Sequence, residues 1–314
     1  MNTRYIKYRL INYTRLVQKK LKCFKLSALK TYAGKPLLPA EQGNTVIRQA
    51  LESGKPFAAV RYGSSELATT IDALDMDRGS LSQVRDKCMV SLCRNAGFFP
   101  NDKALAYRYG KRQAELTKQA DLFAVWGMNM EDYMIAVHGN PQAQVCIPRG
   151  FEPYYFTEPW TAVLKGKRVL VIHPFEKSIR SQYEKRELLF ENPDILPEFT
   201  LLTVKAVQSA AFNETPFETW FDALQYMYDE AMKLDFDVAI LGCGAYGLPL
   251  ACMLKEAGKS AIHMGGATQL MFGIKGNRWD DHPVISKLYN EHWVRPLPEE
   301  TPEKAKAVED ACYW

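Results

Sequence analysis

Charged residues and glycines directly follow the first apolar run that reads as a strand. The segment Arg61-Tyr-Gly-Ser-Ser-Glu66 lies there. An arginine can bind phosphate oxygens through two parallel hydrogen bonds, and a carboxylate can hold Mg²⁺ or Mn²⁺ against a diphosphate. We therefore interpret Arg61 as a phosphate-binding residue and Glu66 as a catalytic and metal-binding residue. The alternative for Glu66 is a favourable charge in the first turn of a helix.

A glycine-rich turn provides the second candidate site. Residues 242–247 fit the pattern G-x-G-x-x-G through Gly242, Gly244 and Gly247, with an apolar run before them and a helical stretch after them. Such a turn binds dinucleotides when an acid that holds the ribose follows about 20 residues later. Here the next strand ends at His263, with no Asp or Glu in that place. The turn then predicts either a general phosphate site at a helix N-terminus or a tight turn without a ligand.

Two histidines end predicted strands, and a polar, glycine-rich stretch follows the second. His173 and His263 are candidates for a general base or a phosphate contact, and the alternative is a hydrogen-bonded structural role. After His263 the chain adds further candidate donor-binding residues, which are Gly265, Gly266, Gln269, Lys275 and Arg278. The last two give a pair of cations in a glycine-broken loop, which suits either a diphosphate clamp or a solvated surface loop.

An alternation of strands and helices would bring these residues together. Apolar runs alternate with helical stretches after Pro39, which predicts right-handed crossovers and a parallel sheet. We expect a Rossmann-like, doubly wound α/β fold with a mostly parallel sheet and helices on both faces, in one domain over residues 41–314. Ligands bind such sheets beyond the carboxyl ends of the strands. Strands are predicted at 57–62, 121–126, 145–148, 167–175, 199–205, 236–241 and 260–264, and helices from about 64, at 80–96, 102–119, 130–138, 176–190, 216–234, 246–258 and from 266.

Composition narrows the class of protein. The chain has 314 residues, of which 47% are hydrophobic and 24% charged, which is typical of a globular protein. Its seven cysteines form no Cys-x-x-Cys pair, so the sequence favours a reducing compartment, and we expect a cytoplasmic protein. The formal net charge is +4, but residues 1–40 contain ten Lys/Arg and no acid. Because the rest is mildly acidic, nucleic-acid binding is not expected.

The basic segment 1–40 reads as a separate amphipathic element. Its large apolar residues recur at helical spacing and fall on one side of a helix: Ile6, Leu10, Tyr13, Val17, Leu21 and Phe24. One interpretation is a helix on the inner face of an anionic membrane, which predicts a peripheral membrane contact through residues 1–30. The other is a helix that packs on the body and exposes a basic face. No segment is expected to span a bilayer.

The motifs together resemble a known enzyme family. Arg61-Tyr-Gly-Ser-Ser-Glu66 is similar to the Arg-x-Gly-Asp-x-Glu segment of GT-D-type glycosyltransferases, bacterial enzymes of surface-glycan assembly. The segments GKRVLVIHPFEKSI, FDVAILGCGAYGLPLA and GKSAIHMGGATQLMFGIKGNRWD resemble GT-D-like proteins of capsule and polysaccharide loci. The resemblance implies a Rossmann-like domain, a nucleotide-sugar donor and a divalent metal. Arg61, Gly63 and Glu66 match the motif, whereas Ser64 stands where the family often has Asp. By this match Gly63 and Ser64 are also candidate donor-binding residues.

Three functions follow from these observations. The first is a hexosyltransferase-like glycosyltransferase of capsule or polysaccharide biosynthesis, with a nucleotide-sugar donor and a glycan or lipid-linked glycan acceptor. The second is an NAD(P)-dependent oxidoreductase that uses the turn at residues 242–247. The third is a non-catalytic protein that binds phosphate or glycan.

Overall fold

The computed structural model describes residues 3–307 and 310–314. Residues 1 and 2 of the basic segment lie outside this range. Within it, one sheet contains nine strands. The strands are β1 (Thr31–Tyr32), β2 (Lys35–Leu38), β3 (Ala58–Arg61), β4 (Leu122–Ala124), β5 (Gln144–Cys146), β6 (Arg168–His173), β7 (Thr200–Lys205), β8 (Val238–Leu241) and β9 (Ser260–His263).

The sheet is parallel except at one edge. Its strand order is β1-β2-β5-β4-β3-β9-β8-β6-β7, and only β1 runs antiparallel to its neighbour. The chain builds outward from β3 to β4 and β5 on one side, and the later strands fill the other side. The carboxyl ends of β3, β9, β8 and β6 therefore lie side by side. This confirms the predicted mixed α/β architecture with a mostly parallel sheet.

Helices cover both faces of this sheet. Ala58 and Val60 of β3 belong to one buried apolar cluster, whereas Ala59 belongs to another, as the alternation of a strand requires. The helices are α1 (Thr3–Lys20), α2 (Ala40–Glu52), α3 (Ser64–Asp77), α4 (Asp86–Ala96), α5 (Lys103–Leu116), α6 (Glu131–His138), α7 (Glu176–Tyr183), α8 (Trp220–Met232), α9 (Gly247–Glu256) and α10 (Thr268–Met271).

Local sequence explains several helix ends. The Asp102 side chain accepts a hydrogen bond from the Leu105 amide and begins α5. Thr219 and Asp222 form a reciprocal capping box at the start of α8. Gly97 ends α4 with a φ of 78°, a left-handed conformation that glycine adopts without steric cost. Helix α4 ends where the sequence predicted but begins at Asp86 rather than residue 80, and α8 is shorter than the predicted helix at both ends.

The sheet also contains elements that the sequence pattern did not indicate. Strand β2 pairs with β5 in parallel, so the sheet begins at residue 31, before the domain boundary predicted at residue 40. Helix α2 follows β2 and buries Ile47 and Leu51. Strands β1 and β2 are short and partly exposed at the sheet edge, so they carry no continuous apolar run. The helix expected from residue 266 is only the four-residue α10.

Helix α1 packs on the body through its polar side. Tyr5 and Asn12 are its buried residues, while most of its large apolar residues face outward. Packing on the body was one of the two interpretations of this segment, and the exposed side carries large apolar side chains as well as the expected basic residues. None of the helices formed by the described residues is long and apolar enough to cross a membrane.

Candidate functional site

A cavity of about 460 Å³ lies beyond the carboxyl ends of β3, β9, β8 and β6. It occupies the position that the doubly wound topology favours for ligands. The structure brings twelve of the fourteen predicted site residues to its lining. They are Arg61, Gly63, Ser64, Glu66, His173, Gly242, Gly244, His263, Gly265, Gly266, Gln269 and Arg278.

Arg61 ends strand β3 and projects over the neighbouring strand β9. Its guanidinium lies against Gly265, where an added Cβ would stand 2.1 Å from Nη2, and φ at Gly265 is +64°. The backbone conformation favours glycine at this position, and the absent side chain leaves the space that the guanidinium occupies. The guanidinium also stacks 5.6 Å from the Trp126 ring centroid. These contacts hold a permanently charged group at the cavity with its donors in a fixed plane.

Glu66 lies in the first turn of α3 and folds back over Gly63. An added Cβ at Gly63 would stand 2.1 Å from a Glu66 carboxylate oxygen. Glu66 is the single acidic residue in the cavity lining, and the described residues contain no cluster of three His, Cys, Asp or Glu side chains fit for a metal ion. A lone carboxylate suits a Mg²⁺ or Mn²⁺ ion that takes its other ligands from a diphosphate and water.

His173 is buried at the end of β6. Its Nδ1 accepts a hydrogen bond from the Phe175 amide at 3.0 Å, so in the neutral ring the proton is assigned to Nε2. Burial lowers the pKa of His173 to about 3. An added Cβ at Gly242 would stand 2.4 Å from this ring, so Gly242 provides the space for it. His173 can therefore offer a hydrogen-bond donor to the cavity.

His263 is equally buried at the end of β9, but its ring carries the opposite tautomer. Its Nδ1 lies 3.3 Å from the Leu241 carbonyl oxygen, which can only accept, so Nδ1 is assigned the proton. Burial, with a smaller contribution from the charge of Arg61, lowers the pKa of His263 to about 3. Nε2 is left as an acceptor on a ring that lines the cavity.

The glycine turn after β8 divides into two parts. Gly242 and Gly244 line the cavity, although the Gly242 amide already donates to the Ile172 carbonyl oxygen at 3.0 Å. Gly247 does not line the cavity. It begins α9 beneath His263, where an added Cβ would stand 2.1 Å from the imidazole. The third glycine of the motif therefore makes room for a ring, in place of the predicted ligand contact.

Gln269 connects the loop after β9 to the end of the chain. Its Nε2 donates to the carbonyl oxygens of Lys275 (2.9 Å) and Tyr313 (3.0 Å). The Tyr313 ring lies against Gly266, where an added Cβ would stand 2.1 Å from it. The backbone of Trp314 accepts from the Asn277 amide. This arrangement places Tyr313 and Trp314 in the cavity wall, and Gln269 holds the C-terminal segment there through its hydrogen bonds.

The two predicted cations of the loop occupy different positions. The Nζ of Lys275 lies 5.1 Å from the Tyr289 ring centroid, and Lys275 does not line the cavity. Arg278 does line it, and its guanidinium lies 4.9 Å from the Tyr313 ring centroid. Of the pair proposed as a diphosphate clamp, only Arg278 is at the site.

Sequence reasoning missed the aromatic wall of the cavity. Phe175, Tyr246, Tyr313 and Trp314 line it together with Trp126, which is 43% exposed. Phe175 ends one predicted strand and Tyr246 follows another, so both were within reach of a search for residues at strand ends. The two C-terminal aromatics had no such signal, because the final segment returns to the site from a distant part of the chain.

Two solved structures of the domain of unknown function 1792 are similar to this chain. A selenomethionine-substituted structure of that domain gives a TM-score of 0.45 at 12% sequence identity and covers 85% of this chain and 93% of that chain. The other, described as showing that this highly conserved domain has a distinct glycosyltransferase fold, gives 0.44 at 13% with the same coverage. No protein-family model and no curated protein matches the chain.

Proposed function

We propose that this chain is a glycosyltransferase that moves a sugar from a nucleotide-diphosphate donor to a glycan or lipid-linked glycan acceptor. Hexosyl transfer in capsule or polysaccharide biosynthesis, at the cytoplasmic side of the membrane, is the role we propose for it. The observation that carries the proposal is the placement of Arg61 against Gly265, which fixes a planar cation at the mouth of a doubly wound sheet. The sequence motifs around Arg61 and Gly242 add support.

The charge balance of the cavity favours a diphosphate. Arg61 and Arg278 line it as cations, Glu66 is its acid, and both histidines are neutral because burial lowers their pKa values to about 3. A dianionic group between the two arginines would be paired in a partly enclosed site, where electrostatic interactions are stronger than in bulk water. The same arginines would stabilise the charge that develops on the leaving diphosphate.

The two histidines suit different tasks in the transfer. His263 presents an unprotonated Nε2, and it would accept the proton of the acceptor hydroxyl. Its pKa would rise when a negatively charged donor binds near Arg61, because the donor charge favours the imidazolium and offsets the arginine. His173 would donate its Nε2 proton in a hydrogen bond to donor or acceptor oxygen.

Glu66 is the residue through which a divalent metal would be held. Such an ion, brought in with the donor, would supply Lewis-acid stabilisation of the diphosphate. Ser64, which replaces the acid of the resembled motif, is exposed at the same turn. With one carboxylate in the cavity, we expect the chain to bind metal measurably only in the presence of a nucleotide.

A thermal-shift panel tests the proposed donor class. The ligands are UDP, GDP, CDP, dTDP, their common sugar conjugates and NAD(P)H, each with and without Mn²⁺. We expect one nucleotide and its sugar conjugates to raise the melting temperature by mass action. We expect Mn²⁺ to increase that shift in the wild type and to lose this effect in Glu66→Gln. A shift with NAD(P)H alone would indicate an oxidoreductase, and no shift with any nucleotide would indicate a non-catalytic protein.

A further inference from the structure

Helix α1 binds the body through charged and polar side chains. Arg15 forms an ion pair with buried Asp132 at 2.6 Å, and Asn12 donates to the same carboxylate at 2.8 Å. One turn earlier, Arg9 pairs with Asp75. Near the other end, Lys19 donates to the Gly127 carbonyl oxygen at 2.7 Å. These contacts fix which side of the helix faces the protein.

The opposite side of α1 is an apolar stripe exposed to solvent. We define the outer stripe by five residues with exposed fractions of 41, 64, 69, 40 and 71%: Ile6, Leu10, Tyr13, Val17 and Leu21. Amphipathic helices of soluble proteins usually turn such a stripe toward the core. Here the helix does the reverse, and the stripe faces solvent. A contiguous exposed apolar surface of this kind marks an interaction site.

The charges around the outer stripe select its partner. Residues 1–40 contain ten Lys/Arg and no acid, and Lys7, Lys20 and Lys22 are exposed on or beside the helix. A second copy of this chain would bring like charges together. An anionic bilayer would accept the apolar side chains below the headgroups and pair with the lysines at the surface.

We propose that the outer stripe docks α1 in the plane of an anionic membrane, with the cavity mouth beside the bilayer. The placement of the cavity mouth follows from contacts at the C-terminal end of α1. Lys19 contacts Gly127, and an added Cβ on Gly127 would stand 3.1 Å from the Phe24 ring. The neighbours of Gly127, Trp126 and Met128, line the cavity. The docked helix therefore brings the rim of the site to a surface from which a lipid-linked acceptor would enter, a consequence that rests on the proposed function.

Vesicle binding tests the docking without reference to activity. The full chain is sedimented with phosphatidylcholine vesicles that contain or lack phosphatidylglycerol, at low and high salt. We expect binding only to the anionic vesicles, weakened by salt, because exposed lysines contribute to it. Leu10→Gln with Val17→Gln should reduce the partition coefficient at least about tenfold. Lys7→Gln with Lys20→Gln should reduce it about fivefold for each lysine removed.

A matched control separates the stripe from general surface hydrophobicity. Val90 and Leu188 are exposed to a similar extent, at 48 and 51%, but lie outside α1. Val90→Gln with Leu188→Gln should bind vesicles as the wild type does, and melting temperatures should show that all variants fold. Absence of wild-type binding, or equal loss in the control, would overturn the proposal. So would an oligomer that Leu10→Gln with Val17→Gln dissociates, because the stripe would then bind a second copy.

A second readout distinguishes this proposal from the function of the cavity. Hydrolysis of the donor by water should be unchanged in Leu10→Gln with Val17→Gln, while transfer to a vesicle-bound acceptor should fall with vesicle binding. If vesicle binding is as expected but no donor is turned over, the docking stands and the proposed function fails.

Discussion

The ends of β6 and β9 carry two histidines that are alike in burial and unlike in chemistry. Both rings lie in the cavity wall, each packs on a glycine, and burial lowers the pKa of each to about 3. His173 accepts a hydrogen bond from a backbone amide, whereas His263 donates a hydrogen bond to a backbone carbonyl oxygen. One ring is thereby left a donor and the other an acceptor.

The difference leads us to expect that the nitrogen not bound by the backbone determines what each buried histidine can do in the cavity. Neither ring would be chosen as a base from its pKa alone. One neighbouring backbone group determines the tautomer of each ring. The site thereby has a hydrogen-bond donor and a hydrogen-bond acceptor on the two strands that flank β8. Substitutions that keep the Nδ1 contact of a ring and remove its Nε2 can test this assignment of the tautomers.

The largest expected effect on kcat comes from comparing two single variants, His263→Asn and His173→Asn. Asparagine can keep the Nδ1 contact of either ring, as a donor to Leu241 or as an acceptor from Phe175, but it lacks Nε2. His263→Asn should lower kcat by about 10²- to 10⁴-fold, because it removes the proposed base. His173→Asn should lower kcat less than about tenfold, the order expected for one hydrogen bond. Steady-state kinetics with the donor identified in the thermal-shift panel would measure both. Equal losses would contradict the tautomer assignment.

Adding a methyl group beneath each ring should reduce stability. Gly247→Ala and Gly242→Ala place a Cβ 2.1 and 2.4 Å from the imidazoles of His263 and His173. We expect each to lower the free energy of unfolding by about 1–3 kcal/mol, since the tightly packed rings must shift. Chemical denaturation would measure this. His263→Ala should relieve the cost of Gly247→Ala but not that of Gly242→Ala, and additive costs in the first pair would show that the ring is not what the methyl group meets.

Acidification should destabilise the fold through both histidines. Their folded-state pKa values of about 3 lie below the unfolded value of about 6.5, so the unfolded chain binds protons first as the pH falls. Their contribution to stability is complete above pH 6.5 and decreases as the pH falls toward 3. The variant with both histidines changed to Asn should lose less stability between about pH 6 and 4 than the wild type. Parallel pH profiles of unfolding would refute the neutral state of the rings.

The sequence predicts those features of the fold and site that depend on residues close together in the chain. Apolar runs in the sequence correctly predicted strands β3, β6, β8 and β9. Residues at their carboxyl ends meet at one cavity, because parallel strands bring those ends together. The positions of Gly247 and Lys275 were not predictable in this way. Each depends on a partner ring distant in the chain, that of His263 or Tyr289.

Two further features required tertiary information. Tyr313 and Trp314 reach the cavity through hydrogen bonds to the loop after β9, for which the C-terminal sequence gives no pattern. The amphipathic spacing of α1 was visible, but its orientation was not. That orientation depends on Asp75 and Asp132, two acids buried in other helices.

The most direct test of the central claim is calorimetric titration of the preferred nucleoside diphosphate into the wild type and two arginine variants. Arg61→Met removes the cation at the cavity, and Arg108→Met removes one that stacks on the Phe221 ring elsewhere, at 5.0 Å from its centroid. We predict that Arg61→Met weakens binding at least about tenfold, as expected for lost hydrogen bonds to a charged ligand. Arg108→Met should bind as the wild type does. Unchanged affinity in Arg61→Met would contradict the assignment of this cavity as the donor site.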